Sequence, residues 1–109
     1  MSTRCNVVVK SKEFDVDKEL WFYRHSDGYP SSILPSLEPL MYKLREGSVR
    51  NNIGQFAGWL IVLGHEEYGS KQDYWKVGAY EPTTGQHGDI EYLYTINLVD
   101  KTLTYEGLR

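Results

Sequence analysis

Residues 19–25 are the part of the sequence that most constrains the fold. A period-two pattern places Leu20, Phe22 and Arg24 on one face of a strand and Trp21, Tyr23 and His25 on the other. Because large aromatic side chains occur on both faces, the strand needs cover on both sides to bury them. We therefore expect this strand to lie inside a sheet.

Four further segments have the composition of strands, and they are residues 6–9, 74–80, 90–99 and 102–105. The charged stretch 10–18 is expected to connect the first two strands as a hairpin. A tight turn at residues 99–101 is expected to pair the last two strands. Residues 81–88 contain Pro82, Gly85 and Gly88, and are predicted to form a loop.

A first helix is predicted from Leu34 or Leu37 to Arg45. Its apolar stripe at helical spacing consists of Leu37, Leu40, Met41 and Leu44. The expected N-cap is Ser32 or Ser36. With Ser36 as the cap, Pro39 falls in the first turn, where its missing N–H costs little. Residues 46–48 have the composition of a helix end.

Residues 53–63 fit either a second helix or a strand. Helical spacing relates Ile53, Phe56, Ala57, Leu60 and Leu63. Asn51 or Asn52 is the expected N-cap, and Gly64 is the expected end. The run 59–63 is also a good strand sequence, and short apolar runs discriminate poorly between the two structures. Of the two, we predict a helix for residues 53–63.

The order of the predicted elements along the chain is ββααβββ. An antiparallel sheet of about five strands with two helices packed on one face would bury the most apolar surface. A chain of 109 residues has the size of one domain with one core, so residues 1–109 are expected to form a single α+β domain. Its apolar share of 40% is enough for folding without a cofactor or metal.

Charge and composition narrow the classes of partner. The net charge of −3 provides no basic surface, so tight binding to DNA is not expected, and a protein partner or a small ligand, for which a nucleotide is one candidate, is favoured. Nine tyrosines favour a binding surface, and a Tyr-rich sheet edge or face is compatible with a symmetric homodimer. The lone Cys5, the lack of a signal-peptide core and the short apolar run 56–64 predict a cytoplasmic protein that does not cross a membrane.

The most unusual motif follows the predicted second strand and covers residues 23–30, Tyr-Arg-His-Ser-Asp-Gly-Tyr-Pro. We select Arg24, His25, Asp27 and Tyr29 as candidate binding residues, because Arg can clamp a carboxylate or phosphate and His near an acid is suited to proton transfer. A structural role is the alternative, since Asp27 and Gly28 favour a turn and Tyr29 and Pro30 can pack the loop. No residue is assigned as catalytic.

Histidine and carboxylate residues suggest no metal site. The candidates are His25, Asp27, His65, Glu66, His87 and Asp89, and their spacing matches no known metal-binding pattern. We expect His65 and the two glutamates after it to form a solvated charge cluster beyond the end of the second helix. Residues 85–89 lack the lysine and the following helix of a phosphate-binding loop.

Three segments together resemble a family of small uncharacterised phage and prophage proteins. They are residues 20–30, 57–60 and 88–94, and in that family a YRHxDGYP signature lies near the N-terminus and a GDIEYxY-like strand near the C-terminus. The resemblance extends from about Leu20 to Leu103. It implies a bacterial virus or mobile element as the source, and it carries no activity with it.

The resulting hypothesis is a non-enzymatic, anti-CRISPR-like inhibitor that counteracts a bacterial defence system. It would bind a host protein complex or sequester a nucleotide signal. One alternative is a small hydrolase in which His25 and Asp27 lie near His65 or His87. A structural or regulatory phage protein without a defence role is the other alternative.

Overall fold

The computed structural model describes residues 3–69 and 79–108. Its elements are β1 (Cys5–Glu13), β2 (Val16–Arg24), α1 (Pro30–Glu46), α2 (Ile53–Gly69), β3 (Glu81–Thr83), β4 (Tyr92–Asn97) and β5 (Thr102–Gly107). The α+β class is therefore confirmed, with five strands and two helices in these described residues. None of the helices in the described residues is both long and apolar enough to span a bilayer.

The sheet is mixed, and its spatial order is β3-β2-β1-β4-β5. β1 pairs antiparallel with β2 but parallel with β4, from Cys5 opposite Tyr92 to Lys10 opposite Asn97. The prediction of an antiparallel sheet is thus wrong. After the two helices the chain returns to the sheet as β3, beside β2, and then crosses to the other side of β1, where β4 runs in the same direction as β1. Side-chain alternation is the same in parallel and antiparallel pairs, so the sequence pattern could not reveal this arrangement.

One face of the sheet carries the core, and both helices pack on it. The core side chains are Cys5, Val7 and Val9 of β1, Phe22 of β2, Tyr94 and Ile96 of β4, Ile33, Leu37, Leu40, Met41 and Leu44 of α1, and Phe56, Ala57 and Leu60 of α2. On the opposite face Asn6, Val8 and Tyr23 are also buried. β2 is paired on both sides, as predicted, although only residues 21–23 contact β3.

Helix α1 begins earlier than predicted. Tyr29 is the N-cap residue and Pro30 is the first helical residue, a position that its fixed φ and missing N–H suit well. Ser36 lies inside the helix, where its hydroxyl bonds to Glu67 instead of capping a helix end. Pro39 is likewise internal. Gly47 ends α1 in the left-handed conformation, with φ of 89°.

Residues 53–63 are helical, and α2 runs past Gly64 to Gly69. Asn52 caps it through its side-chain oxygen, which accepts from Gln55 N at 3.1 Å. Gly64 does not end the helix because it has a packing role: a Cβ there would lie 2.7 Å from the Tyr80 ring and 3.0 Å from Tyr80 N. Glycine at position 64 therefore allows Tyr80 to pack closely against α2, and it does not mark the end of the helix.

The charged stretch 10–18 is not a simple connection, because most of it extends β1 and β2. Lys10 lies opposite Glu19, and Lys12 lies opposite Asp17, so opposite charges face each other across the two strands. The turn between the strands is formed by Phe14 and Asp15. Both have positive φ, 53° and 62°, as a tight hairpin turn of type I′ requires.

The predicted strand at residues 74–80 falls mostly outside the described residues, and its described part, Ala79 and Tyr80, is not in a strand. Instead, β3 forms within the predicted loop 81–88. Pro82 lies in it, which is tolerated because β3 is short and lies at the edge of the sheet. β4 and β5 occupy the last two predicted strand segments.

Candidate functional site

The motif at residues 23–30 joins the end of β2 to the start of α1. Strand alternation directs Arg24 to the core face and Tyr23 to the opposite face. Tyr29 and Pro30 then start α1. The selected residues Arg24, His25, Asp27 and Tyr29 therefore do not form one continuous surface: Arg24 points inward, and the other three are exposed.

Arg24 is buried, with 1% of its side chain exposed, and it forms a bidentate ion pair with Glu67 of α2. Its Nη1 donates to Glu67 Oε1 at 3.1 Å, its Nη2 donates to Oε2, and its Nε donates to the Ser26 carbonyl at 2.8 Å. The guanidinium also lies over the Tyr80 ring, 5.1 Å from its centroid. Glu67 is thus not part of a solvated charge cluster, and Arg24 connects β2, the motif loop and α2.

Two further side chains complete the network around Glu67. Ser36 Oγ donates to Glu67 Oε1 at 2.9 Å and lies 3.2 Å from Tyr80 Oη. Burial raises the pKa of Tyr80 to about 12, against a smaller lowering by Arg24. Tyr80 therefore stays protonated at neutral pH. The network is fully polar, largely buried and shared between both helices, which is typical of a structural element.

The motif loop is held from both sides. Gly28 N donates to the Thr3 carbonyl at 2.9 Å, and Tyr94 Oη donates to the Gly28 carbonyl at 2.8 Å. A Cβ at Gly28 would lie 2.8 Å from the Thr3 oxygen, so only glycine fits this position. Asp27 has φ of 57°, a conformation that Asp adopts more readily than most residues. Gly28 and Pro30 therefore have structural roles, in agreement with the alternative that the motif forms a turn and packs the loop.

On the outer face a second polar group surrounds Tyr23, and we call it the outer cluster: Arg4, Tyr23, His25, His87 and Asp89. Tyr23 Oη donates to Asp89 Oδ2 at 3.2 Å and lies 3.4 Å from His25 Nδ1. Arg4 Nε lies 3.3 Å from Asp89 Oδ2 and 3.4 Å from His25 Nδ1. The His87 ring stacks on Tyr23 with centroids 4.1 Å apart.

The outer cluster keeps its tyrosine protonated. Burial is the main reason that the pKa of Tyr23 is raised, and the nearby Asp89 carboxylate raises it further. The phenol therefore acts as a hydrogen-bond donor to Asp89. Two contacts hold His87 in place: its backbone N donates to Asn6 Oδ1 at 2.8 Å, and its Nε2 lies 2.8 Å from Thr83 Oγ1.

The rings of His25 and His87 both lie near that of Tyr23, with centroids 6.2 Å and 4.1 Å from it, and the carboxylate in their cluster is that of Asp89. Asp27 is exposed in the motif loop, and His65 lies on α2, which packs on the other face of the sheet. Within residues 3–69 and 79–108, no three His, Cys, Asp or Glu side chains are grouped so that they could hold a metal ion.

Sequence reasoning missed the tip of the β1–β2 hairpin. Phe14 is completely exposed there and has positive φ. Because its ring packs against nothing, no packing energy offsets the backbone strain of that conformation. Along the strands of the hairpin, a groove of about 600 Å³ extends to the end of β4, and Lys10, Lys12 and Asp17 contribute to its lining. The signal available in the sequence was the alternation of lysines and acids on either side of Phe14.

Comparison with known proteins adds no further constraint. No family model, curated protein or solved structure matches this chain. The candidate site is therefore defined by geometry: His25, Asp27 and Tyr29 are exposed on a loop that the inward-pointing Arg24 and the tightly packed Gly28 hold in place.

Proposed function

We propose that this chain is a non-enzymatic protein of a bacterial virus or other mobile element that counteracts a host defence system. It acts by binding a host protein complex in the cytoplasm, in the manner of an anti-CRISPR protein. The resemblance carried by residues 20–30 supports the source, and the net charge of −3 favours a protein partner over a nucleic acid.

The observation that carries the proposal is the construction of the motif loop. Ser26 and Gly28 are tied to Arg24, Thr3 and Tyr94 by hydrogen bonds of 2.8–2.9 Å. The exposed His25, Asp27 and Tyr29 consequently stand on a backbone that has little freedom to lose on binding. Association then costs less conformational entropy than it would for a flexible loop.

The three exposed side chains also have the chemistry of a protein-binding surface. Tyr29, 42% exposed, offers a large apolar ring with a polar tip, and such residues are enriched at interface hot spots. Asp27 and His25 supply a carboxylate and an imidazole, both exposed, from the same loop. Polar groups around an aromatic anchor fix the register of an interface.

The geometry favours binding of a protein over the alternatives. A nucleotide trap would need the Arg24 guanidinium for phosphate, but that group is already paired with Glu67 and the Ser26 carbonyl. A hydrolase built on His25 and Asp27 would need the two side chains to act together. The carboxylate hydrogen-bonded in the cluster of His25 is that of Asp89, through Tyr23.

The test is to express the full chain in bacteria that carry an active, programmed defence system and to measure plaque formation by a targeted phage. CRISPR-based systems and a nucleotide-signalling system are tested in parallel. The chain is expected to restore plaque formation against one of them, and an affinity-tagged chain is expected to co-purify with a protein of that system. Restored plaques with no co-purifying protein, but with a bound nucleotide in the native mass spectrum, would favour sequestration instead.

Variants assign the surface. Tyr29→Ala and Asp27→Asn should reduce protection at least about tenfold, the usual effect of losing a hot-spot contact. Tyr42→Ala is the matched control, because Tyr42 is an exposed tyrosine elsewhere on α1. Full activity of both motif variants would contradict the assigned surface, and loss of activity in Phe14→Asp would then place the contact at the hairpin tip. A chain that protects against none of the systems would favour a structural or regulatory phage protein.

A further inference from the structure

β5 lies at an edge of the sheet and is paired on one side, with β4, in the part of the chain that the structure describes. Natural edge strands are usually protected by lysine, proline, a bulge or very short length. β5 has six residues, Thr-Leu-Thr-Tyr-Glu-Gly, contains neither lysine nor proline, and carries a charge only at Glu106. Its open edge is therefore suited to pairing with another strand.

The register identifies which backbone groups face that open edge. Leu108 N donates to the Glu91 carbonyl at 2.8 Å, whereas Glu91 N donates to the Arg4 carbonyl, so Glu91 and Leu108 form one of the two bonds of a hydrogen-bonded pair. In an antiparallel ladder such pairs recur at every second residue. Thr102, Thr104 and Glu106 therefore bond to β4, whereas Leu103, Tyr105 and Gly107 direct their N–H and C=O groups away from it.

We propose that this edge pairs with β5 of a second copy of the chain, antiparallel and around a two-fold axis at Tyr105. The register places Tyr105 opposite Tyr105 of the second copy, and Leu103 opposite Gly107 of the second copy. It uses all three outward-facing residues, which together can form about six backbone hydrogen bonds. The two sheets join into one continuous sheet of ten strands, since each has five.

The side chains of β5 complement themselves in this register. Glu106 lies opposite Thr104 of the second copy, so the carboxylate meets a hydroxyl donor and not a second carboxylate. Tyr105 is 50% exposed, and its ring stacks on the buried Tyr94 with centroids 5.7 Å apart. The two Tyr105 rings meet across the axis as an aromatic pair, each held by its own Tyr94.

This self-complementarity is the reason for choosing a second copy over a strand of another protein. The interface is isologous, so it closes as a dimer and does not continue into a fibre. The motif loop follows β2, and β5 is separated from β2 by β1 and β4. Dimerisation is therefore independent of the function proposed above.

The first experiment measures the mass of the full chain in solution by sedimentation or light scattering over a range of concentrations. The wild-type chain is expected at twice its 12.6 kDa. Tyr105→Lys places two like charges opposite each other and should weaken the dimer at least about tenfold. Thr104→Lys is the matched control, because the same charge would lie opposite Glu106 of the second copy and the dimer should persist.

A second variant covers the case in which Tyr105→Lys fails to fold after losing its contact with Tyr94. Gly107→Pro removes one outward N–H but none of the bonds to β4, so it should also give a monomer with an intact circular-dichroism spectrum. In the wild type, the amides of Leu103, Tyr105 and Gly107 should be protected from hydrogen exchange only at concentrations where the dimer forms. Those of Thr102, Thr104 and Glu106 should be protected throughout.

Three results would overturn the proposal. They are a wild-type monomer at the highest concentration reached, a dimer that survives both Tyr105→Lys and Gly107→Pro, and a dimer that forms without protection of the three outward amides. The second result would place the dimer interface elsewhere on the molecule. A monomer that instead co-purifies with a host protein through β5 would assign the edge to that protein.

Discussion

Arg24 at the end of β2 and Glu67 in the last turns of α2 form a bidentate ion pair, with 1% of the arginine and 27% of the glutamate side chain exposed. The same guanidinium bonds to the Ser26 carbonyl. One buried charge thus holds the sheet, the motif loop and a helix in a fixed relation. The position of the exposed motif residues depends on this pair.

Removing either partner of this pair should have unequal effects. Glu67→Ala leaves a charged guanidinium in the core and should lower the free energy of unfolding by about 3–5 kcal/mol. Arg24→Met should cost less, because Glu67 is partly exposed and can be hydrated. Urea unfolding of both variants measures the difference, and the double variant Arg24→Met, Glu67→Leu should recover part of the loss. Equal losses in the two single variants would argue against burial of the guanidinium.

Two glycines of the same helix should respond in opposite ways to alanine. Gly64→Ala places a methyl group 2.7 Å from the Tyr80 ring and 3.0 Å from its backbone nitrogen, and should destabilise the protein by about 1–3 kcal/mol. Gly58 has no neighbouring atom within 4 Å of an added Cβ. Gly58→Ala should therefore stabilise α2 by up to about 1 kcal/mol through helix propensity. Thermal unfolding of the pair tests this, and a loss of stability in Gly58→Ala would be the contrary result.

The protein should lose stability at alkaline pH. Burial raises the pKa of the Cys5 thiol from 9.0 to about 12, with a smaller lowering by Arg24. Since the unfolded chain loses this proton first, the stabilisation is complete below pH 9 and is lost as the pH rises towards 12. Denaturant unfolding at a series of pH values measures the slope. The fall of the free energy of unfolding with pH should be less steep just above pH 9 in Cys5→Ala than in the wild type. An unchanged slope would exclude the Cys5 thiol as the cause of the fall.

The hairpin tip should tolerate, and even favour, replacement of Phe14. The side chain is completely exposed, so its removal loses no packing, and asparagine adopts positive φ more readily. Phe14→Asn is expected to raise the free energy of unfolding by about 1 kcal/mol. Phe14→Val is the control, because a β-branched residue is strained at this φ and should destabilise the turn. A less stable asparagine variant would indicate that Phe14 packs against the fold.

Local patterns predicted several elements well. Alternation placed Phe22 and Arg24 on one face of β2 and Tyr23 on the other, and this is confirmed by the pairing with β1. Helical spacing favoured a helix over the apolar run after Asn52, and Asn52 does cap α2. These features were predictable because periodicity and capping depend on residues close in sequence.

Features that depend on distant contacts were mispredicted. Gly64 resembled a helix end, but Tyr80 packs against it. Ser36 resembled a helix cap, but its hydroxyl bonds to Glu67. Both residues are of types that commonly occur at helix ends. A partner more than ten positions away gave each of them a different role.

In the candidate site too, local features could be predicted and tertiary contacts could not. The sequence by itself determined that the motif at residues 23–30 contains a turn at the end of a strand, and that the strand alternates its side chains between two faces. Only the tertiary structure decided that Arg24 binds Glu67, that Tyr23 rather than Asp27 links His25 to a carboxylate, and that β4 lies parallel to β1. Backbone conformation follows from neighbouring residues, whereas the burial and partner of a charge depend on which distant segments the core brings together.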